Sequence, residues 1–191
     1  MFLLNTAGSL PIYYYTNVIT RPDKLVEFIE KSEFEKTSSA ISKWSYLENG
    51  KALKHIDFSY QEQDESVANK IYYIINSINM AARFTWSQYS SINEIHDKEI
   101  DYSFTIDRVS GSNDLSDEVQ ALADDYSHCI KIYLNDSYDS QGIYMEKQNL
   151  SLKPEASSLI IFPLSEDYKF VSRAVKSGHK YEITFYVKNK I

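Results

Sequence analysis

The chain has 191 residues, a formal net charge of −7 and a pI near 5.1. Its 43% hydrophobic content can bury one sizeable core, so a single domain is the simplest organisation. Phosphate binding needs clustered lysine and arginine, so this acidic chain is not expected to bind nucleic acid. No run approaches the ~18 apolar residues of a membrane-spanning helix, and no membrane association is expected.

The single cysteine, Cys129, excludes an intrachain disulfide and reads as a small buried apolar residue. The opening Met1-Phe2-Leu3-Leu4 has neither the basic flank nor the apolar length of a signal segment, so the expectation is a soluble, cytoplasmic protein. Tyrosine is used 16 times against 5 glycines. Such amphipathic rings suit a sheet protein with contact surfaces, and a protein partner or self-assembly is therefore expected.

In chain order, Leu10 to Ile19 is β-branched and aromatic and predicts a first strand. Thr20, Pro22 and Asp23 then start a helix that runs to about Ser32, with Leu25, Phe28 and Ile29 as its apolar stripe. Ser42 to Leu47 and Leu53 to Tyr60 flank the turn Glu48-Asn49-Gly50-Lys51, a hairpin signal. From Asp64 to about Ser87, Val67, Ile71, Ile74, Ile75, Ile78 and Ala82 recur at helical spacing and predict a long helix packed across a sheet.

Ile100 to Val109 alternates as a strand does, and Ser110 to Asp114 reads as a loop. About five strands are predicted between Ser127 and Val187, separated by turn residues at Asn135-Asp136, Gln141-Gly142 and Pro154. No repeat or linker divides the chain. It reads as one domain over 1–191, with a support of strand, helix, hairpin and long helix over 1–99 and a β core over 100–191.

The segments Ile130 to Asp136 (IKIYLND), Leu150 to Pro163 (LSLKPEASSLIIFP) and Gly178-His179-Lys180-Tyr181 resemble the Fe(II)/2-oxoglutarate dioxygenases of the prolyl 4-hydroxylase type, in particular small phage-encoded members. The resemblance spans roughly Tyr102 to Val187. It implies an α+β chain with a double-stranded β-helix, or jelly roll, and N-terminal helices packed on the sheet. If phage-encoded, such a protein is expected in the virion or its assembly.

The resemblance also implies a site. In that family a His-x-Asp pair and a later histidine form a facial triad that holds iron and leaves positions open for 2-oxoglutarate and dioxygen. On this chain the pair falls at Glu118-Val119-Gln120 and the later histidine at Phe170. A phenyl ring has no lone pair to donate, and Gln120 brings a neutral amide where a carboxylate is wanted. Leu115, Val119 and Leu122 are also at helical spacing, so a short surface helix that carries Glu118 and Gln120 is a second reading of this stretch.

Lys180 matches the basic residue that pairs with the distal carboxylate of 2-oxoglutarate in the family. It is the one cofactor-binding candidate, against the plainer reading of a salt-bridged lysine at a strand start. The remaining histidines do not share metal-ligand spacing. His55-Ile56-Asp57 lies before the long helix, His96 in an acidic turn, His128 in step with Ile130 and Ile132, and His179 on the face opposite Lys180.

The reading is a catalytically degenerate dioxygenase-fold protein with a binding or structural role, no catalytic residue, no metal ligand and no cofactor. The alternatives are an active hydroxylase that holds Fe(II) and 2-oxoglutarate through relocated ligands among His55, Asp57, His96 and His128, and a carboxylate sensor built on Lys180.

Overall fold

The computed structural model describes residues 1–5, 10–30, 45–46, 51–56, 65–111, 118–119 and 125–190. Twelve strands among the described residues form two sheets, and two α-helices accompany them. The strands are β1 (Phe2–Asn5), β2 (Ile12–Tyr15), β3 (Ser45–Tyr46), β4 (Lys51–Ile56), β5 (Lys98–Ser110), β6 (Glu118–Val119), β7 (Tyr126–Tyr133), β8 (Ile143–Met145), β9 (Leu150–Leu152), β10 (Ser158–Pro163), β11 (Phe170–Ser172) and β12 (His179–Asn189). The larger sheet runs β1-β2-β10-β7-β12-β5-β4-β3 and the smaller β6-β11-β8-β9, with every pairing antiparallel. Two antiparallel sheets face to face, with helices on the outer side of the larger, make the expected α+β jelly roll.

Strand alternation divides the larger sheet into two unlike faces. Ile130 and Ile132 of β7 and Leu134 just after it join Phe104, Ile106, Leu159, Ile161, Ile183 and Phe185 in a core completed by the helices α1 (Pro22–Glu30) and α2 (Glu65–Ile92). Cys129 and Tyr133 point the other way. With Ile12, Tyr14, Ile160 and Phe162 they meet Ile143, Met145 and Phe170 of the smaller sheet.

The helices form where caps and periodicity allow. Pro22 opens α1, where its missing N–H costs nothing, and Leu25 and Ile29 bury its inner stripe. The long helix passes the predicted end near Ser87 and closes past Ile92. There Glu94 takes a φ of 56° and Ile95 N–H donates to Ser90 C=O at 2.8 Å, the six-to-one bond of a Schellman ending. Trp86, just before the predicted end, and Tyr89, in the added turn, join Ile78 and Ala82 in the core, a contribution the sequence periodicity did not include.

The predicted first strand is real but shorter, Ile12–Tyr15, and β1 pairs with it unforeseen. The hairpin signal matches β3 and β4, while its turn at 47–50 lies outside the described residues. Six strands stand where about five were expected between Tyr126 and Asn189, because Ile143–Met145 and Leu150–Leu152 pair as separate short strands. Their entry needs Gly142, at φ +84°, where an added Cβ would sit 2.2 Å from Leu152 C=O.

His128 lies on the helix face, its ring 5.2 Å from Trp86 and 5.4 Å from Tyr89, both edge-on. Ser127 Oγ meets its Nδ1 at 3.0 Å, and burial, reinforced by the Lys98 charge, lowers its pKa to about 4. An unfolded chain, with an ordinary histidine near 6.5, takes up a proton before the native state does. Stability should therefore fall as pH drops from about 6.5 to about 4 and level off below, by an amount on the order of 3 kcal/mol from this residue. Urea unfolding of wild type and His128→Phe across that range checks it: the variant's stability should be flatter with pH.

Candidate functional site

Among the described residues, the interior between the two sheets sets a buried polar cluster against an apolar lining. The register of the larger sheet builds it in rows: Asp107, Glu182 and Tyr133 are neighbours across β5, β12 and β7, and Thr105, Thr184 and Lys131 make the adjacent row. Lys180, two residues before Glu182, shares its face. Lys131, Lys180, Glu182, Thr184 and Asp107 are all buried, and Glu182 is wholly inaccessible.

Glu182 is the hub. Lys131 Nζ donates to its Oε1 at 2.9 Å and to Thr184 Oγ1 at 3.2 Å. Lys180 Nζ lies 2.9 Å from Glu182 Oε2 as an ion pair and directs its hydrogen bond to Ser172 Oγ at 2.7 Å. Ser172 belongs to β11 of the smaller sheet, so this bond joins the two sheets across the interior. Burial opposes ionisation of Glu182, but the two ammonium charges outweigh it and hold the carboxyl far below the usual range. Lys131 is likewise penalised by burial, and the Glu182 charge more than reverses this, so it stays protonated.

The phenols of Tyr133 and Tyr138 are buried beside this cluster without a hydrogen-bond partner. Burial, followed by the nearby Glu182 charge, raises the pKa of both.

Phe170 forms the apolar side of the site. It is buried, stacks on Phe162 with centroids 4.6 Å apart and planes 8° from parallel, and has Lys131 Nζ 5.7 Å from its ring centre. Glu118 and Val119 are a short strand paired with Ser172 and Val171, so the helical reading does not hold at these two positions. The register brings Glu118 to the strand that carries Phe170. Gln120 lies outside the described residues.

The other predicted ligands do not gather. His128 is on the helix side, and His55, opposite Thr105 on β4, is three strands away from it in the sheet. Asp57 lies outside the described residues. His96 is exposed, lining a surface cleft of about 360 Å³ with Arg83, Lys98 and Lys190, and its C=O accepts from Lys190 Nζ at 2.6 Å. His179 is exposed too, with Nδ1 2.9 Å from Ser110 Oγ. Among the described residues no three of His, Cys, Asp and Glu are placed to hold a metal ion.

Two of the segments that carry the sequence resemblance, Ile130 to Asp136 and Gly178 to Tyr181, are in direct contact. Asn135 of the YLND turn donates from Nδ2 to His179 C=O at 2.7 Å and accepts from Tyr181 N–H at 2.9 Å. That clamp fixes the start of β12 and, through it, the positions of Lys180 and Glu182.

Comparison with solved structures places this architecture. A viral collagen prolyl hydroxylase from Paramecium bursaria Chlorella virus-1, solved with 2-oxoglutarate, matches with a TM-score of 0.57 at 12% identity over 94% of this chain and 96% of its own. A prolyl hydroxylase from Trichoplax adhaerens, solved with a hypoxia-inducible-factor peptide, gives a TM-score of 0.61 at 14% identity over 98% and 87%. A Pseudomonas putida prolyl 4-hydroxylase gives 0.54 at 10% identity over 94% and 93%. The chain has the fold of the prolyl 4-hydroxylase-type dioxygenases. No family model and no curated protein sequence matches it.

Tested against iron and 2-oxoglutarate, the described side chains do not fit. Phe170 offers no donor, and Lys131 brings positive charge beside its ring. The carboxylate that a cosubstrate would bring to Lys180 is already supplied by Glu182. Sequence reasoning singled out Lys180 and Phe170 but missed Lys131 and Glu182. Their signal was a lysine and a glutamate on the same face of two strands otherwise rich in apolar residues.

Removing one member of a buried ion network leaves its partner's charge incompletely compensated. Lys131→Met should lower the unfolding free energy by about 3 kcal/mol. Urea denaturation with an unchanged m-value would show that the loss lies in the native state.

Proposed function

We propose that this protein uses the dioxygenase jelly roll as a binding or structural scaffold and not as an oxygenase. The observation that carries the reading is the Lys131–Glu182–Lys180 network, which fills the interior beside Phe170 with ion-paired side chains. An oxygenase of this fold needs that space for a dication and a dicarboxylate. Here two ammonium groups repel the first, and a tethered carboxylate competes with the second. Lys180 is then a structural lysine, the plainer of its two sequence readings, and the protein takes no cofactor.

A contact role agrees with the surface. The edge strand β1 leaves Phe2 58% and Leu3 50% exposed, and α2 presents Phe84 at 62%. Exposed apolar residues on a sheet edge and a helix suit attachment to a protein partner or self-assembly. The phage-like sequence resemblance and the viral origin of one structural neighbour favour a virion or assembly setting.

Two measurements test the reading. Anaerobic titration with Fe(II) should show no stoichiometric tight site, and incubation with Fe(II), 2-oxoglutarate and oxygen should release no succinate above background. Either tight iron or succinate would replace this reading with that of a hydroxylase whose ligands come from elsewhere in the chain. In thermal unfolding, 2-oxoglutarate should leave wild type and Lys180→Ala equally unshifted. A shift confined to wild type would make Lys180 a carboxylate receptor.

A further inference from the structure

We infer that the Glu182 carboxylate is the tethered occupant of a small-monocarboxylate site, one that accepts a free carboxylate once the tether is cut. The inference rests on the non-catalytic reading of the interior.

The site is built around the anion and not around the glutamate chain. Lys131 Nζ meets Oε1 and Lys180 Nζ meets Oε2, each at 2.9 Å, so the carboxylate sits between two ammonium groups. Each ammonium is steadied from outside the pair: Lys131 by Thr184 Oγ1 at 3.2 Å, Lys180 by Ser172 Oγ at 2.7 Å. Thr184 is 3% and Ser172 6% exposed, so both supports are buried with the charges they hold. They come from different sheets, which fixes the lysine heads with or without the glutamate.

The remaining lining is polar as well. Tyr133 stands opposite Glu182 in register, and the phenols of Tyr133 and Tyr138 are buried without a hydrogen-bond partner and feel the Glu182 charge. Ammonium and hydroxyl donors around a planar anion are the chemistry of carboxylate recognition.

The size of the ligand follows from the covalent structure. Glu182→Ala keeps Cβ and removes a CH2 group with its carboxylate, which is the skeleton of acetate. Formate lacks one carbon of that volume and propionate carries one too many. In the variant the lysines face a buried space with no counter-ion at its centre, and acetate restores both the charge and the packing.

The experiment is thermal unfolding of wild type, Glu182→Ala and Glu182→Gln in sodium acetate, formate, propionate or chloride at matched ionic strength. Acetate should raise the midpoint of Glu182→Ala saturably, by roughly 5 °C or more, ahead of formate and propionate. Wild type and Glu182→Gln, whose side chains fill the space, should respond to acetate and chloride alike. Equal midpoints for Glu182→Ala in acetate and chloride, or an equal acetate shift in wild type, would overturn the proposal.

If Glu182→Ala does not fold in any salt, Lys131→Met/Lys180→Met/Glu182→Leu decides. Recovery of the fold in this variant, from which all three charges of the network are gone together, supports a missing counter-charge as the defect, and continued failure refutes it. Iron binding by wild type would sink the non-catalytic reading whatever Glu182→Ala does, whereas loss of the acetate effect alone would remove only this inference.

Discussion

The interior of this jelly roll depends on one carboxylate held between two ammonium groups. Charge buried at low dielectric is tolerated only when it is paired at close range, and Glu182 is paired with both Lys131 and Lys180. The surrounding geometry serves the same end. The antiparallel register of β7, β12 and β5 sets Lys131, Thr184, Glu182 and Asp107 on one face, and Asn135 pins the first residues of β12 so that Lys180 reaches Ser172 across the gap. A slip of one residue in β12 would turn Glu182 into the helix-side core, where Ile183 and Phe185 now pack.

The two faces of the larger sheet divide the labour. The helix face is a conventional apolar core in which α1 and α2 cover aliphatic strand residues, and it supplies most of the buried apolar area. The inner face gives up part of that gain to seat charges. Buried ion networks seldom stabilise as much as well-packed apolar residues of the same volume. Their presence here is better understood as a constraint on which arrangement the two sheets adopt, because the Lys180–Ser172 bond is satisfied in only one relative placement of the smaller sheet.

Much of this was legible in the sequence. The alternation of β7, β10 and β12, the long amphipathic helix and the Asn-Gly hairpin all announce themselves by period and turn chemistry, and Phe170 was singled out as a phenyl group at a ligand position. The centre of the site was not legible. Lys180, Glu182 and Thr184 alternate with Tyr181, Ile183 and Phe185, which is also the pattern of a strand with one face in water. Periodicity reports that two faces differ. It does not report that the polar face is covered by a second sheet, so nothing in it singles out Glu182 and Lys131. The end of α2 was misplaced for a related reason: its stop is a backbone conformation at Glu94, with no glycine or proline to mark it.

Charge balance gives a physical account of how such an interior can change its occupants while the fold persists. Ferrous ion and 2-oxoglutarate dianion together contribute no net charge to a barrel interior. Two lysines, one glutamate and Asp107 formally contribute none either, and they do so without a diffusible component. An intermediate stage that kept a lysine but lost its anion would carry an uncompensated buried cation, the costliest arrangement of the series. With Glu182 beside Lys131 and Lys180, and Asp107 opposite Glu182 in register, the opposing charges of the interior all come from the chain itself.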